Sequence, residues 1–201
     1  MTGNSTVKIG AILLAAGGSS RLGRPKQLVE FQGKPLIRRS AEVLAASACS
    51  PVVVVLGAEI EGSRGKLGGL NVSICINEDW NVGISSSIKA GLEYILERVH
   101  DIDAVLIALC DQPYISTDDF DRLKDEFQTG RSPIVASAYN DVVGVPAIFA
   151  REIFDSLLDL KGDQGARYLL RQNPEQISLV AVNHARFDID TPEDLATNSL
   201  K

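Results

Sequence analysis

Residues 7–27 read VKIGAILLAAGGSSRLGRPKQ. Ile9 and the run Ala11 to Ala15 make a short apolar, strand-like segment. The character then changes abruptly: Gly17, Gly18 and Gly23, two serines, and the cations Arg21, Arg24 and Lys26 follow within a dozen residues. A buried strand that empties into such a loop places it at the strand's carboxyl end, where open α/β sheets take their ligands. The glycines let the backbone approach a ligand and aim N–H groups at an anion, and the cations suit a polyphosphate. Two common phosphate fingerprints do not apply. There is no GxGxxG, and although Gly18 and Gly23 have Walker spacing, Arg24 and Pro25 stand where Lys and Ser/Thr belong. Taken alone, the loop also reads as a surface turn with solvated cations.

Working outward, β-branched runs alternate with amphipathic stretches. PLIRRSAEVLAAS reads as a helix opened by Pro35, and PVVVVLG as a strand buried on both faces, as in a parallel sheet. VSICI is a strand, SSSIKAGLEYILERV a helix and DAVLIAL another strand. STDDFDRLKDEF starts a helix with a Ser116 or Thr117 cap and acids in its first turn. SPIVASAY reads as a strand, NDVVG as a turn and VPAIFA as a returning strand. REIFDSLLDL and GARYLLRQ are helical, ISLVAV is extended, and TPEDLA is a short helix. The alternation predicts one three-layer α/β domain over residues 1–201 with a mostly parallel, mixed, Rossmann-like sheet.

A net charge of −6 argues against nucleic acid as a partner, while a local positive pocket for a small phosphate ligand remains compatible with it. No apolar run approaches the ~18 residues of a membrane span, and the polar start MTGNSTVK does not read as a signal peptide. Cys49, Cys75 and Cys110 form no CxxC pair, which fits a reducing cytoplasm, and two histidines make a His-rich metal site improbable.

Three acidic residues are candidates for a metal. Asp111 follows the apolar strand in LIALCDQP, and Pro113 stops its continuation. In FDIDTPED, Asp188 and Asp190 face one side if the segment is extended. Mg²⁺ takes one or two such carboxylates and completes its shell with phosphate oxygens and water. Each acid also has a plain alternative as a turn or helix cap, and Asp190 suits a cap on TPEDL. In NEDWNVGISSSIKAG, serines after Gly83 can cap the helix, one facing a ligand while another caps; Trp80 reads as packing.

The run Leu14-Ala15-Ala16-Gly17-x-Ser-x-Arg21-x-Gly23-x-x-Lys26, with Asp111-Gln112-Pro113 and KGDQGARYLL, resembles the nucleotidyltransferases of glycosyltransferase-A-like fold (the nucleotide-diphospho-sugar transferase fold). Within them it is most similar to the molybdenum-cofactor branch, and the resemblance spans nearly the whole chain. It implies that Leu14, Ala15, Ala16, Gly17, Gly18 and Lys26 hold a nucleoside triphosphate. Asn77, Gly83 and Ser87 would border the base, and Arg167 would bind the acceptor's phosphate. Asp111, with Asp190 or Asp188, would hold Mg²⁺. Val145 stands where relatives often have His, and Cys110 where many have Gly.

The reaction implied moves a nucleoside monophosphate to the terminal phosphate of a molybdopterin-type acceptor and releases pyrophosphate, with Arg21, Lys26 and Asp111 as the catalytic groups. The loop and DQP look more like the cytidylyl than the guanylyl branch, which favours CTP over GTP. A molybdoenzyme or its chaperone is the partner implied. Losing one charged contact of this kind costs about 3 kcal/mol, so Lys26→Ala is expected to slow turnover roughly a hundredfold. Rival readings are a sugar phosphate or methylerythritol phosphate acceptor, and a chaperone that binds nucleotide without releasing pyrophosphate. A nicotinamide-binding module lacks its fingerprint.

Overall fold

The computed structural model describes residues 7–18, 23–191 and 193–195. In chain order it contains β1 (Ile9–Ala15), β2 (Glu30–Phe31), β3 (Lys34–Pro35), α1 (Leu36–Ala45), β4 (Val52–Leu56), α2 (Ile60–Lys66), β5 (Ser73–Ile76) and α3 (Ile84–Leu96). There follow β6 (Ala104–Leu109), α4 (Thr117–Thr129), β7 (Ile134–Tyr139), β8 (Val142–Ala150), α5 (Phe154–Leu158), α6 (Ala166–Gln172) and β9 (Ile177–Ala181).

β1 is buried at every position. Its side chains divide between two cores: Ile9, Ala11, Leu13 and Ala15 enter one, and Ile12 and Leu14 the other. β4 does the same, with Val52, Val54 and Leu56 on the first side and Val53 and Val55 on the second. With apolar layers above and below, neither strand has a wet face, which is why neither alternates in polarity. α1 and α4 cover the first core through Ile37, Ala41, Leu44, Phe120 and Leu123. α3, α5 and α6 cover the second through Ile88, Leu92, Phe154, Leu157 and Leu169.

Seven strands form one sheet in the order β5-β4-β1-β6-β8-β7-β9. β5, β4, β1 and β6 run parallel. β8 is antiparallel to both neighbours, and β9 is parallel to β7. This is the mostly parallel mixed sheet that the sequence predicts. From β1 the chain winds outward through β4 to β5, then crosses to β6 on the other side of β1. The order reverses between β1 and β6, and that reversal opens a crevice at their carboxyl ends.

α1 has no side-chain cap and no acid in its first turn. A helix of 10 residues is marginal on propensity alone. Burial of Leu36, Ile37 and Leu44 holds it, at about 1.5–3 kcal/mol for each side chain, more than the ~1 kcal/mol of a typical cap. Pro35 stands just ahead of α1 with ψ 141°, not within its first turn. α4 opens as expected: Ser116 and Asp119 form a reciprocal capping box.

Three further features depart from the sequence reading. α2 carries Gly62 and Gly65, each unfavourable by about 1 kcal/mol relative to Ala. It forms because Ile60 and Leu67 pack into the first core, and because a Cβ at Gly62 would lie only 2.8 Å from Leu28 Cδ1. β2 and β3 form a two-residue hairpin whose turn, Gln32 and Gly33, has φ of 50° and 77°. It delivers Phe31 to a third small core with Val29, Leu36 and Ile189. β8 starts at Val142, so only Asn140 and Asp141 make the turn after β7. No described helix is long and apolar enough to cross a membrane.

Candidate active site

β1 ends at Ala15 and the chain swings out through Ala16, Gly17 and Gly18. Gln27, in a short turn over Lys26–Leu28, is buried beneath this loop. Its Nε2 donates to the carbonyls of Ala15 (2.8 Å) and Gly17 (2.7 Å), and Ala58 N donates to Ala16 O (3.0 Å). The carbonyls of Ala15, Ala16 and Gly17 are thus engaged by protein donors, which lessens their repulsion of an anion beside the loop. The sequence reading passed over Gln27, because its partners lie 12 and 10 residues away and leave no periodic signal. Gln27→Ala strands these carbonyls and is expected to lower stability by about 1–3 kcal/mol, measured by urea unfolding.

The same turn points Lys26 across the crevice. Its Nζ donates to Asp111 Oδ2 at 2.8 Å and also to Asp190 Oδ1. Burial pulls the ammonium's pKa down, but the two carboxylates outweigh it and leave Lys26 well above the ordinary lysine value. Asp111 follows β6 by two residues, and its carbonyl accepts from Ile189 N (3.0 Å), which lashes the FDID segment alongside. Gln112 is buried, with Nε2 donating to Val145 O (3.2 Å) and Ala185 O (2.8 Å). It ties the end of β6 to β8 and to the FDID approach, and so sets where Asp111 stands.

Asp190 does not cap the helical residues 193–195. Thr191 Oγ1 accepts from Asp194 N, and Asp194 Oδ2 accepts from the Asp190 and Thr191 N–H groups. That capping box leaves the Asp190 carboxylate turned toward Lys26.

Burial pushes the Asp188 carboxyl up to about 6; Asp111 and Asp190 add to the rise, while Arg167 and Lys26 oppose it. An acid raised on folding supports the folded state below its unfolded value of 3.8, and that support is lost as pH climbs through about 6. The full shift corresponds to ~3 kcal/mol, and solvent access reduces this to about 1–2 kcal/mol. Asp188→Asn is therefore expected to match the parent near pH 4 and to exceed its stability by that amount at pH 7.5, read from denaturant unfolding at both pH values.

Asp111 Oδ1 and Asp188 Oδ1 are buried with no hydrogen-bond partner among the described residues. Unpartnered carboxylate oxygens are hard donors of the kind Mg²⁺ and Mn²⁺ take. Among the described residues, no group of three or more His, Cys, Asp or Glu is placed to hold a metal ion, so a metal here would take one or two carboxylates and complete its shell with ligand oxygens and water.

The opposite wall is the start of α3. Gly83 precedes it with φ 128° and ψ 174°, a conformation open to glycine. The expected serine cap does not form; Ser85 N instead donates to Gly162 O (3.1 Å) from the loop before α6. Asn77 Oδ1 accepts from Asp79 N (3.0 Å), which fixes the amide's orientation. Its Nδ2 then donates to Ser86 Oγ (2.8 Å) and Ser87 Oγ (3.0 Å). Trp80 packs as expected: a Cβ on Gly57 would lie 2.6 Å from Trp80 Cβ, and one on Gly18 2.9 Å from its ring.

A cavity of about 420 Å³ joins these parts. Leu14, Ala15, Ala16, Gly17, Gly18, Lys26, Gly83, Ser87, Asp111 and Asp190 line it, together with Gln27, Trp80 and Asp163, which the sequence reading did not place there. Asn77 stands behind Ser87. Arg167 lies in a neighbouring hollow with Lys161 and Tyr168, and its Nη2 donates to Tyr139 Oη (2.6 Å). Arg21 falls outside the described residues. Cys110 also borders the cavity, but burial, with Asp111 adding, drives its thiol up to about 12, so it stays protonated at neutral pH. Val145 is buried in the second core, and its carbonyl, not its side chain, makes the polar contact.

Residues 11–177 match the family described as the MobA-like NTP transferase domain. Nicotine blue oxidoreductase of Paenarthrobacter nicotinovorans is 33% identical over 196 residues, covering 92% of this chain and 93% of that one. The probable molybdenum cofactor guanylyltransferase of Bacillus cereus strain AH820 is 27% identical over 173 residues, or 81% and 84% of the two chains. Rv0371c of Mycobacterium tuberculosis H37Rv superposes with a TM-score of 0.81 at 25% identity, over 98% of this chain and 100% of that one. The architecture is that of the nucleotide-diphospho-sugar transferase fold. With the family's match running from β1 to the start of β9, the chain belongs to the MobA-like NTP transferase family.

Proposed function

We propose that the whole chain acts as one nucleotidyltransferase domain in the cytoplasm. It would transfer CMP, or another nucleoside monophosphate, from its triphosphate to the terminal phosphate of a molybdopterin-type acceptor. The observation that carries this reading is the meeting of Lys26, Asp111 and Asp190 at the mouth of the β1 loop. A half-buried cation and paired carboxylates, beside a loop whose Ala15, Ala16 and Gly17 carbonyls are engaged by protein donors, suit a metal-bound polyphosphate better than a neutral ligand.

An acceptor phosphate oxygen attacks the α-phosphorus, and the bond to the bridging oxygen breaks as pyrophosphate leaves on the opposite side. The acceptor is already a nucleophile, so the protein's task is alignment and charge neutralisation. The amides of Ala16 to Gly18 and the Lys26 ammonium would receive the phosphates, with Arg21 adding charge from the same loop. Asn77 has both amide hydrogens committed to serines. It would therefore act by holding Ser87, whose hydroxyl would face the base, beside the Gly83 turn. Arg167 would take the acceptor's anionic group from the adjoining hollow. Asp111, with Asp190 or Asp188, would hold Mg²⁺, which supplies Lewis-acid neutralisation of the phosphate oxygens.

The name of the P. nicotinovorans relative, an oxidoreductase at 33% identity, raises one second reading, a redox activity. One experiment separates the two. Pyrophosphate release is followed with each of the four ribonucleoside triphosphates, with and without molybdopterin, and NAD(P)H oxidation is followed with a quinone dye as acceptor. Release that needs both molybdopterin and CTP is the expected result. Nucleotide binding without release would favour a chaperone, and NAD(P)H turnover without release would favour the redox reading.

A further inference from the structure

We propose that Lys26 determines which metal species the site accepts: its ammonium holds the cation's place between Asp111 and Asp190 in the nucleotide-free protein, so the metal enters only with a triphosphate that takes the ammonium in exchange. This rests on the proposed reading of the site as a metal–nucleotide centre.

The geometry sets up a direct competition. Lys26 Nζ lies 2.8 Å from Asp111 Oδ2 and bonds Asp190 Oδ1 as well. A divalent ion would sit about 2.0–2.1 Å from a carboxylate oxygen. It cannot share that oxygen pair with an ammonium already hydrogen-bonded to both, and the two positive charges would repel at short range. Water screens this little on the Asp111 side, where the side chains of Lys26 and Asp111 are only 16% and 19% exposed, and more on the Asp190 side, where Asp190 is 47% exposed.

The surroundings show what changes and what stays. Among the described residues, Asp111, Asp188 and Asp190 gather around Lys26, with Arg167 as a further positive charge acting on Asp188. Asp111 Oδ1 and Asp188 Oδ1 are buried without a hydrogen-bond partner among the described residues, so the ammonium leaves carboxylate oxygens unsatisfied that a metal taking its place could use. A triphosphate in the adjoining loop would offer Lys26 new oxygens. The backbone need not move for the exchange: Gln27, the next residue, is pinned to the loop by two hydrogen bonds. Only the flexible lysine stem has to swing. A free metal ion brings no such partner for the ammonium and must leave it stranded among cations.

The test is Mn²⁺ binding without nucleotide, followed by the EPR signal of the free ion, on the full chain and on Lys26→Met, which keeps the stem and removes the charge. Lys26→Met is expected to bind Mn²⁺ more tightly than the parent by roughly 5–150-fold, the usual range for coupled sites. Adding Asp111→Asn to it should abolish the gain. Thermal melting gives a second measure: Mn²⁺ alone should raise the unfolding temperature of Lys26→Met and leave the parent's nearly unchanged. A parallel titration with a non-hydrolysable CTP analogue tests the underlying site, since Asp111→Asn should weaken Mn²⁺ binding there. If that weakening is seen but Lys26→Met binds free Mn²⁺ no better than the parent, the exchange is overturned and the metal site stands. If Asp111→Asn changes Mn²⁺ binding under neither condition, the metal site falls and the exchange with it.

Discussion

Asp111→Asn is expected to lower pyrophosphate release at saturating nucleotide by about two to three orders of magnitude, the usual loss when one charge-stabilising contact is removed from a preorganised site. The carboxylate sits two residues past β6, at the point where the strand order reverses. Two independent anchors hold it there: Gln112 reaches Val145 and Ala185, and the Asp111 carbonyl accepts from Ile189. Neither anchor uses the carboxylate, so the amide replacement should stand in the same place. What changes is charge. An amide is a poor ligand for a hard cation, and it offers Lys26 a neutral acceptor where a carboxylate stood. Stability should move by no more than about 1 kcal/mol, because the lost ion pair is offset by relief of repulsion with Asp188. The check is steady-state turnover beside a urea melt of the same preparation. Parent-like turnover would remove Asp111 from the machinery.

Gly83→Ala should damage the fold and the site together. Gly83 has φ 128°, where an L side chain is strained by about 1–3 kcal/mol. A Cβ there would also run into the Gly162 carbonyl group and lie 2.8 Å from Asp163 N. Backbone cannot give way as a side-chain tip can. The Gly162 carbonyl is moreover the acceptor that closes the first turn of α3 through Ser85 N. Pushing it aside uncaps α3 and displaces Ser87. The expected loss is about 3 kcal/mol or more, a fall in melting temperature of roughly 6–12 °C for a chain of this size, with weaker nucleotide binding. Gly17→Ala is the control for stability, since its Cβ would meet nothing within 4 Å. Equal melting temperatures for the two variants would show that the Gly83–Gly162 contact matters little.

The three-layer fold was legible because its strands are short apolar runs and its long helices amphipathic. Val52 to Leu56 can be read as doubly buried from composition alone, and the two cores on either side of that strand bear it out. α2 was not legible, since two glycines mask a helix that packing against Leu28 and the first core sustains. The loop after β1 and Asp111 after β6 were both visible as residues at strand ends. Their meeting was not.

The chain's own pattern of hydrophobic and turn-forming residues determined which segments are strands and helices, and that cations follow β1 while a carboxylate follows β6. Tertiary structure decided the rest. It laid β6 beside β1, brought Lys26 to carboxylates 85 and 164 residues away, and freed Asp190 by handing the helix cap to Thr191. It also closed α3 with a carbonyl from the loop before α6. The reason is one of range. Periodicity and capping act over a few neighbouring residues and are written locally, whereas an ion pair or a borrowed cap depends on how whole layers stack, which no local stretch of sequence records.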